Sequence, residues 1–161
     1  MKIDLSGKTA VVTGATGQLG RTMARKLAEC GAAVGLCYYS KGDYAEELKK
    51  ELEEKYGVTS AAVQADVTDF DSVTAMQKEM SRTLGPADII VNNAVIQLPE
   101  WKTVVEQPLK DYESQFRSCV MQNVHMAKAF VPDMQKKKYG RVIGINTECT
   151  IQCFTTQSAY A

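Results

Sequence analysis

The sequence predicts an alternating α/β fold, a doubly wound parallel sheet with helices on both faces. Three observations carry that expectation. Short apolar runs rich in β-branched residues recur along the chain, stretches with helical spacing separate them, and glycines or prolines punctuate the junctions. Strands separated by helical crossovers cannot pair as hairpins, so their sheet is parallel. The runs are apolar almost throughout, as expected of strands buried on both faces.

Lys8–Thr13 (KTAVVT) is the first strand and ends at a glycine-containing loop. From Gly17 the period lengthens: Leu19, Met23 and Leu27 fall on one helical face, and Gly31 stands at the C-cap position. Ala33–Tyr39 (AVGLCYY) is the second strand. Asp43 is placed to cap a helix with Tyr44, Leu48 and Leu52 on its inner face, and Gly57 ends it. Thr59–Ala65 reads as the third strand. Thr68 opens a helix through Val73, Met76 and Met80 that stops before Gly85-Pro86. Ile89–Asn92 is a short fourth strand. Beyond a loop carrying Pro99 and Pro108, a long helical pattern runs to about Lys138, with Phe116, Val120, Val124 and Ala127 facing inward. Arg141–Asn146 (RVIGIN) is the fifth strand.

Composition narrows the function classes. The 161 residues are 45% hydrophobic and 24% charged, the balance of one globular domain spanning 1–161. A chain of this length buries roughly two thirds of its unfolded surface, enough for a real core. Lys plus Arg number 19 and Asp plus Glu 19, so no basic excess exists to neutralise a nucleic-acid backbone. No stretch approaches the roughly 18 apolar residues of a membrane span. Met1–Gly7 has no hydrophobic signal core, so a cytoplasmic location is expected. No repeat or low-complexity tract interrupts the chain. Its five cysteines (Cys30, Cys37, Cys119, Cys149 and Cys153) form no CxxC pair and have only His125 to join them. Zinc needs four ligands in recognisable pairs, so no metal site is expected and the thiols read as small, reduced apolar residues.

The chemistry is expected at the first strand-to-helix turn, Thr13-Gly14-Ala15-Thr16-Gly17-Gln18-Leu19-Gly20. Glycines let a backbone approach a pyrophosphate, and the free N–H groups of a helix start bind the anion. Four later elements follow in order: Asp66-Val67 after the third strand, Asn92-Asn93-Ala94-Val95 after the fourth, Gly140-Arg141-Val142-Ile143 opening the fifth, and Ser158-Ala159-Tyr160 near the end. Together with Thr13-Gly14 these resemble the short-chain dehydrogenase/reductase family over the whole chain. The resemblance implies a Rossmann-type sheet of strand order 3-2-1-4-5, with the family's last strands beyond this chain. It implies that Gly14, Gly17 and Gly20 cradle the pyrophosphate, that Asp66 meets the adenine, and that Asn92 lies near the adenosine ribose. Thr16, Gln18, Leu19, Val67, Asn93 and Ala94 complete that half of the candidate cofactor site.

Departures from the family pattern are specific. In the commoner TGxxxGxG loop the middle glycine position here holds Gln18, and the spacing of Gly14, Gly17 and Gly20 matches TGxxGxxG instead. Val95 replaces the glycine of the family's Asn-Asn-Ala-Gly. Thirteen residues before Tyr160, the catalytic serine position holds Thr147, whose hydroxyl donates the same hydrogen bond under tighter rotamer restriction. The helical asparagine position falls on Cys119; Asn123, one turn later on the same face, is the candidate substitute, and it reads equally as a helix-surface or interface residue. Tyr160, Thr147 and Asn123 are therefore the catalytic candidates. The lysine expected four residues after Tyr160 is not in the chain, which ends at Ala161. A free phenol titrates at about 10, and an adjacent ammonium is what lowers it for proton exchange near neutrality. The chain alone is thus expected to be inactive.

Eighteen residues past Gly20 stands Tyr38, followed by Tyr39, Ser40 and Lys41, with no carboxylate before Asp43. An acidic residue there marks NAD, whereas Ser40 and Lys41 suit a 2′-phosphate, so NADP is the expected cofactor with NAD the alternative. Ser40-Lys41-Gly42 also reads as a solvated turn. His125 is expected at a surface or interface, Lys136-Lys137-Lys138 as charge complementing a helix C-terminus, and Trp101 either beside substrate or packed on its own domain. The long helical region 106–138 carries more apolar positions than one inner face needs; relatives dimerise there, so a homo-oligomer is expected. The sequence therefore supports an oxidoreductase passing hydride between a nicotinamide and a small carbonyl or alcohol substrate. The alternative is a non-catalytic nucleotide-binding remnant or inactive fragment. Five strands alone also leave an apolar edge open.

Overall fold

β-Branched and small apolar residues make β1 (Thr9–Thr13) a strand whose five residues are all buried, and it occupies the middle of the sheet. The computed structural model describes residues 3–96, 98–152 and 154–160; Cys153, one of the thiols considered above, lies outside them, as do Met1, Lys2, Gln97 and Ala161. Five strands order as β3-β2-β1-β4-β5, with β2 at Ala33–Tyr38, β3 at Ser60–Gln64, β4 at Ile89–Asn92 and β5 at Arg141–Gly144. Every pairing is parallel, with Val11 opposite Gly35 on one side and Ile90 on the other. The expected sheet and strand order are both present.

Side chains of successive strand residues point to opposite faces, so the sheet feeds two cores. Ala10, Val12, Leu36 and Val91 pack with Ala24, Ala28, Leu48 and Leu52 from α1 (Gln18–Glu29) and α2 (Gly42–Tyr56). Val11 and Ile90 pack with Val73, Met76 and Met80 of α3 (Phe70–Leu84) and with a long helical segment on the same face. That segment comprises α4 (Leu109–Gln115), a π-helical stretch (Phe116–Met121) and α5 (Gln122–Lys137). A four-residue helix, α6 (Cys149–Gln152), follows β5 and had no sequence signal.

The helix faces correct the sequence reading in three places. On α1 the buried line is Gly20, Ala24 and Ala28, with Met23 and Leu27 at its margin and Leu19 exposed. Small residues let this helix approach the sheet closely beneath the loop. On α2, Ala45 replaces Tyr44 in the inner line, and Asp43 sits in the first turn instead of capping it, the N-cap being Lys41. In the long segment, Phe116, Val120 and Val124 face solvent, Ala127 is only half-buried, and the inward line is Ser118, Gln122, Met126, Phe130 and Met134. Both lines repeat every four residues, so period alone does not choose between them. Met126 and Phe130 belong inside because their volume joins Met76 and Met80 of α3 in one core.

Lys137 also does more than complement a helix end. Its Nζ lies 2.6 Å from Oδ1 of buried Asp88, whose Oδ2 accepts the Thr9 N–H at 2.9 Å. All four residues of β5 are exposed, and its outer side has no neighbouring strand among the described residues. No helix of the described residues is long and apolar enough to cross a membrane.

Candidate functional site

The carboxyl ends of β1, β2, β3 and β4 meet at a cleft of about 580 Å³. Connections from β1 lead to β2 on one side and, later in the chain, β4 adjoins its other side, so the cleft sits where the winding reverses. Gly14 opens it with φ +62°, and a Cβ there would lie 2.9 Å from Ala94 Cα. Only glycine takes that backbone without strain. A Cβ on Gly20 would collide with the Gly14 carbonyl oxygen, so a second missing side chain lets α1 close against the loop. Gly17 N-caps α1 without any side-chain hydrogen bond. The N–H groups of the first helical turn therefore point toward the cleft with the positive end of the helix dipole behind them.

Of the sequence-derived cofactor residues, Gly14, Thr16, Gly17, Gln18, Leu19 and Gly20 line the cleft from the β1–α1 loop. Ser40 and Lys41 line it from the β2–α2 loop, both exposed, and Lys41 has no carboxylate within ion-pair distance among the described residues. Asp66 and Val67 enter after β3. Asp66 Oδ1 accepts from the Thr68 N–H and hydroxyl at 2.8 and 2.7 Å. Asn93 and Ala94 enter after β4. Asn92 is the exception: it is buried at the end of β4, outside the lining, where its Nδ2 donates to Asn123 Oδ1 at 2.7 Å and its own Oδ1 has no partner among the described residues.

Among the described residues, no hydrogen bond joins the three catalytic candidates to one another. Asn123 Nδ2 donates to the Cys119 carbonyl at 2.6 Å, so its amide bridges the helix to β4. Thr147 is half-buried, and its Oγ1 accepts from the Cys149 N–H at 3.2 Å. Tyr160, half-buried, is held through its N–H to the Gln157 carbonyl at 3.0 Å. His125 is not a plain surface residue: Nδ1 lies 3.0 Å from the Val67 carbonyl and its ring packs at a tilt on Phe70. Trp101 is largely exposed in the loop before α4.

Several lining residues escaped the sequence reading as site residues. Tyr38, Tyr39, Ile96 and Leu98 border the cleft, and the last two are more than half exposed. Two exposed apolar residues right after Asn93-Ala94 were a usable signal. Cys37 sits against the Gly14 loop, where burial pushes its thiol up to about 12 against a smaller opposing hydrogen bond from the Gly14 backbone. Beneath the loop, Thr13 Oγ1 donates to Gln122 Oε1 at 2.6 Å and accepts the N–H groups of Asn93 and Ala94 at 2.9 and 3.0 Å. The residues present fit a dinucleotide: a side-chain-free cradle, an uncapped helix start and an exposed cation lining a single cleft.

Comparisons with known proteins agree with this geometry. Residues 8–161 match the short chain dehydrogenase family. A 3-oxoacyl-[acyl-carrier-protein] reductase of Staphylococcus aureus is 34% identical over 149 residues, covering 87% of this chain and 56% of the reductase. L-Sorbose reductase of Gluconobacter frateurii, solved with NADPH and L-sorbose, superposes with a TM-score of 0.91 at 30% identity, over 99% of this chain and 60% of that one. NAD+-bound xylitol dehydrogenase superposes at 0.90 with 27% identity, over 97% of this chain and 59% of that one. The chain thus spans somewhat over half the length of the proteins it matches. With the parallel 3-2-1-4-5 sheet, the glycine cradle and a family match running from β1 to its last residue, this chain belongs to the short chain dehydrogenase family.

Proposed function

We propose that the chain is the nucleotide-binding part of an NADP-dependent oxidoreductase acting on a small carbonyl or alcohol. The single observation that carries the reading is the cleft itself, with its glycine-walled turn, uncapped α1 start and exposed Lys41 on the neighbouring β2–α2 loop. When bound, the nicotinamide supplies hydride to a carbonyl or removes it from an alcohol. Gly14, Gly17 and Gly20 make room for the pyrophosphate, while the first-turn N–H groups of α1 bind its charge. Asp66 takes the adenine edge through Oδ2. Ser40 and Lys41 bind the 2′-phosphate by a hydrogen bond and a charge. Asn93 and Ala94 hold the opposite side of the cleft against Gly14, and Asn92 and Asn123 brace the end of β4. Thr147 donates a hydrogen bond from its hydroxyl to the substrate oxygen, and Tyr160 exchanges the proton with that oxygen. NAD is the alternative cofactor, supported by the xylitol dehydrogenase likeness.

Lys41 is the test. A hydrogen bond to a charged group is worth about 1.5–3 kcal/mol, so Lys41→Ala is expected to weaken NADPH binding about tenfold or more and leave NADH binding unchanged. Titration followed by nicotinamide fluorescence reads both. Equal loss for the two nucleotides removes the phosphate role, and no binding of either removes the nucleotide reading.

Self-association through the long helix belongs to the same proposal. Phe116, Val120 and Val124 form an exposed apolar line on it, with exposures of 55%, 48% and 42%. A lone exposed apolar residue needs no explanation, but a contiguous line of three does.

A further inference from the structure

We propose that Gln122 is a positioning residue that fixes the Asn93–Ala94 side of the nucleotide cleft; the proposal rests on the nucleotide reading above. Gln122 is 2% exposed, at the first turn of α5, and its amide is fully engaged. Oε1 accepts the Thr13 hydroxyl at 2.6 Å, while Nε2 donates to the Ala94 carbonyl at 3.0 Å and to the Ser118 carbonyl at 2.7 Å. Its backbone N–H reaches back to the Arg117 carbonyl, the five-residue step of the π-helical stretch. One residue therefore ties the π-helical stretch, the end of β1 and the turn after β4.

The proton inventory explains why the amide matters. A hydroxyl has one proton and two lone pairs. With its proton committed to Gln122 Oε1, Thr13 Oγ1 turns both lone pairs to the N–H groups of Asn93 and Ala94, at 2.9 and 3.0 Å. Without Gln122 that proton has the Val91 carbonyl as its neighbour, at a longer 3.4 Å. Rotation toward it swings the lone pairs away from the turn. The two peptide units flanking the Ala94 Cα are each held, the preceding one through the Ala94 N–H on Thr13 and the following one through the Ala94 carbonyl on Gln122. Ala94 is also the residue whose Cα approaches the side-chain-free face of Gly14, so displacement of this turn changes the width of the cleft at the glycine loop.

The test compares three variants of the whole chain, Gln122→Met, Gln122→Glu and Phe130→Leu, the last a core change on the same helix away from the cleft. Amide exchange is read residue by residue without nucleotide, and NADPH affinity by fluorescence. Gln122→Met keeps the length and removes the amide. It is expected to lower protection of the Asn93 and Ala94 amides about tenfold relative to the Val91 amide, and to weaken NADPH about tenfold, as loss of one net hydrogen bond implies. Gln122→Glu keeps an oxygen to accept the Thr13 hydroxyl but sets its other oxygen against the Ala94 and Ser118 carbonyls, so at pH 8 it is expected to lose part of that protection, Ala94 more than Asn93. Toward pH 5 its protonated form regains one donor, and protection is expected to return. Phe130→Leu is expected to lower protection evenly across the sheet and keep NADPH affinity near the parent's. Unchanged protection at Asn93 and Ala94 in Gln122→Met overturns the proposal, as does an even loss that matches Phe130→Leu. Failure of the unmodified chain to bind NADPH removes the nucleotide reading instead, and the exchange pattern still decides what Gln122 holds.

Discussion

Cys37 shows how a single residue in the cleft reads differently once its surroundings are known. In sequence it is one of five thiols without a pattern. In the fold it is 1% exposed at the end of β2, and desolvation drives its thiol up to about 12. Only about one molecule in ten thousand is then thiolate at pH 8. Iodoacetamide at pH 8 is therefore expected to label the half-exposed Cys30 and Cys119 and to spare Cys37, as mass mapping of the adducts would read. Labelling of Cys37 as fast as Cys30 contradicts this placement. Gly14 and Gly20 were legible beforehand as glycines of a strand-to-helix turn, and the space they leave is taken by Ala94 and by the Gly14 carbonyl. Thr13 and Gln122 were not, because nothing local distinguishes a threonine that organises a turn from one that fills a strand.

Among the elements, the long helical segment carries the largest correction. Its two apolar lines have the same spacing, and the inward one contains a glutamine and a serine, which a hydropathy pattern assigns to solvent. Their burial is tolerable because Gln122 satisfies its whole amide and Ser118 bonds the Gln115 carbonyl at 3.4 Å. The outer line is exposed, and the proposed self-association uses it. Phe116→Glu combined with Val120→Glu is expected to lower self-association in sedimentation equilibrium without changing the helical circular dichroism, since both side chains are about half exposed. Loss of the helical signal would place these residues inside the core instead.

For the whole molecule, Lys137 and Asp88 join the far end of α5 to the start of β4, across 49 positions of sequence. Asp88 is almost wholly buried and its second oxygen holds the Thr9 N–H, so this pair also anchors the central strand. Lys137→Met leaves that carboxylate buried without its cation. A loss of about 2 kcal/mol in urea unfolding is expected, below the cost for a fully buried pair because the lysine head reaches solvent. Arg25 and Glu51, which clamp α1 to α2 on the other face through two bonds of 2.8 and 2.7 Å, are more exposed and contribute less. The Arg25 guanidinium holds the Glu51 carboxyl below its usual range, so the pair's stabilisation is present at neutral pH and fades as pH falls through that lowered value. By itself the sequence determined the order of the five strands and of the long helical stretches between them, the parallel winding and the place of the glycine turn. Each of these follows from periods and residue types within a few neighbours. The tertiary structure alone decided which line of the long helix is buried, and which distant partners hold the cleft. Thr13 and Gln122 stand 109 residues apart, and Thr9 and Asp88 79 apart. Such pairs form only when every packed layer has settled on one arrangement, because the free energy that selects it is summed over the whole core.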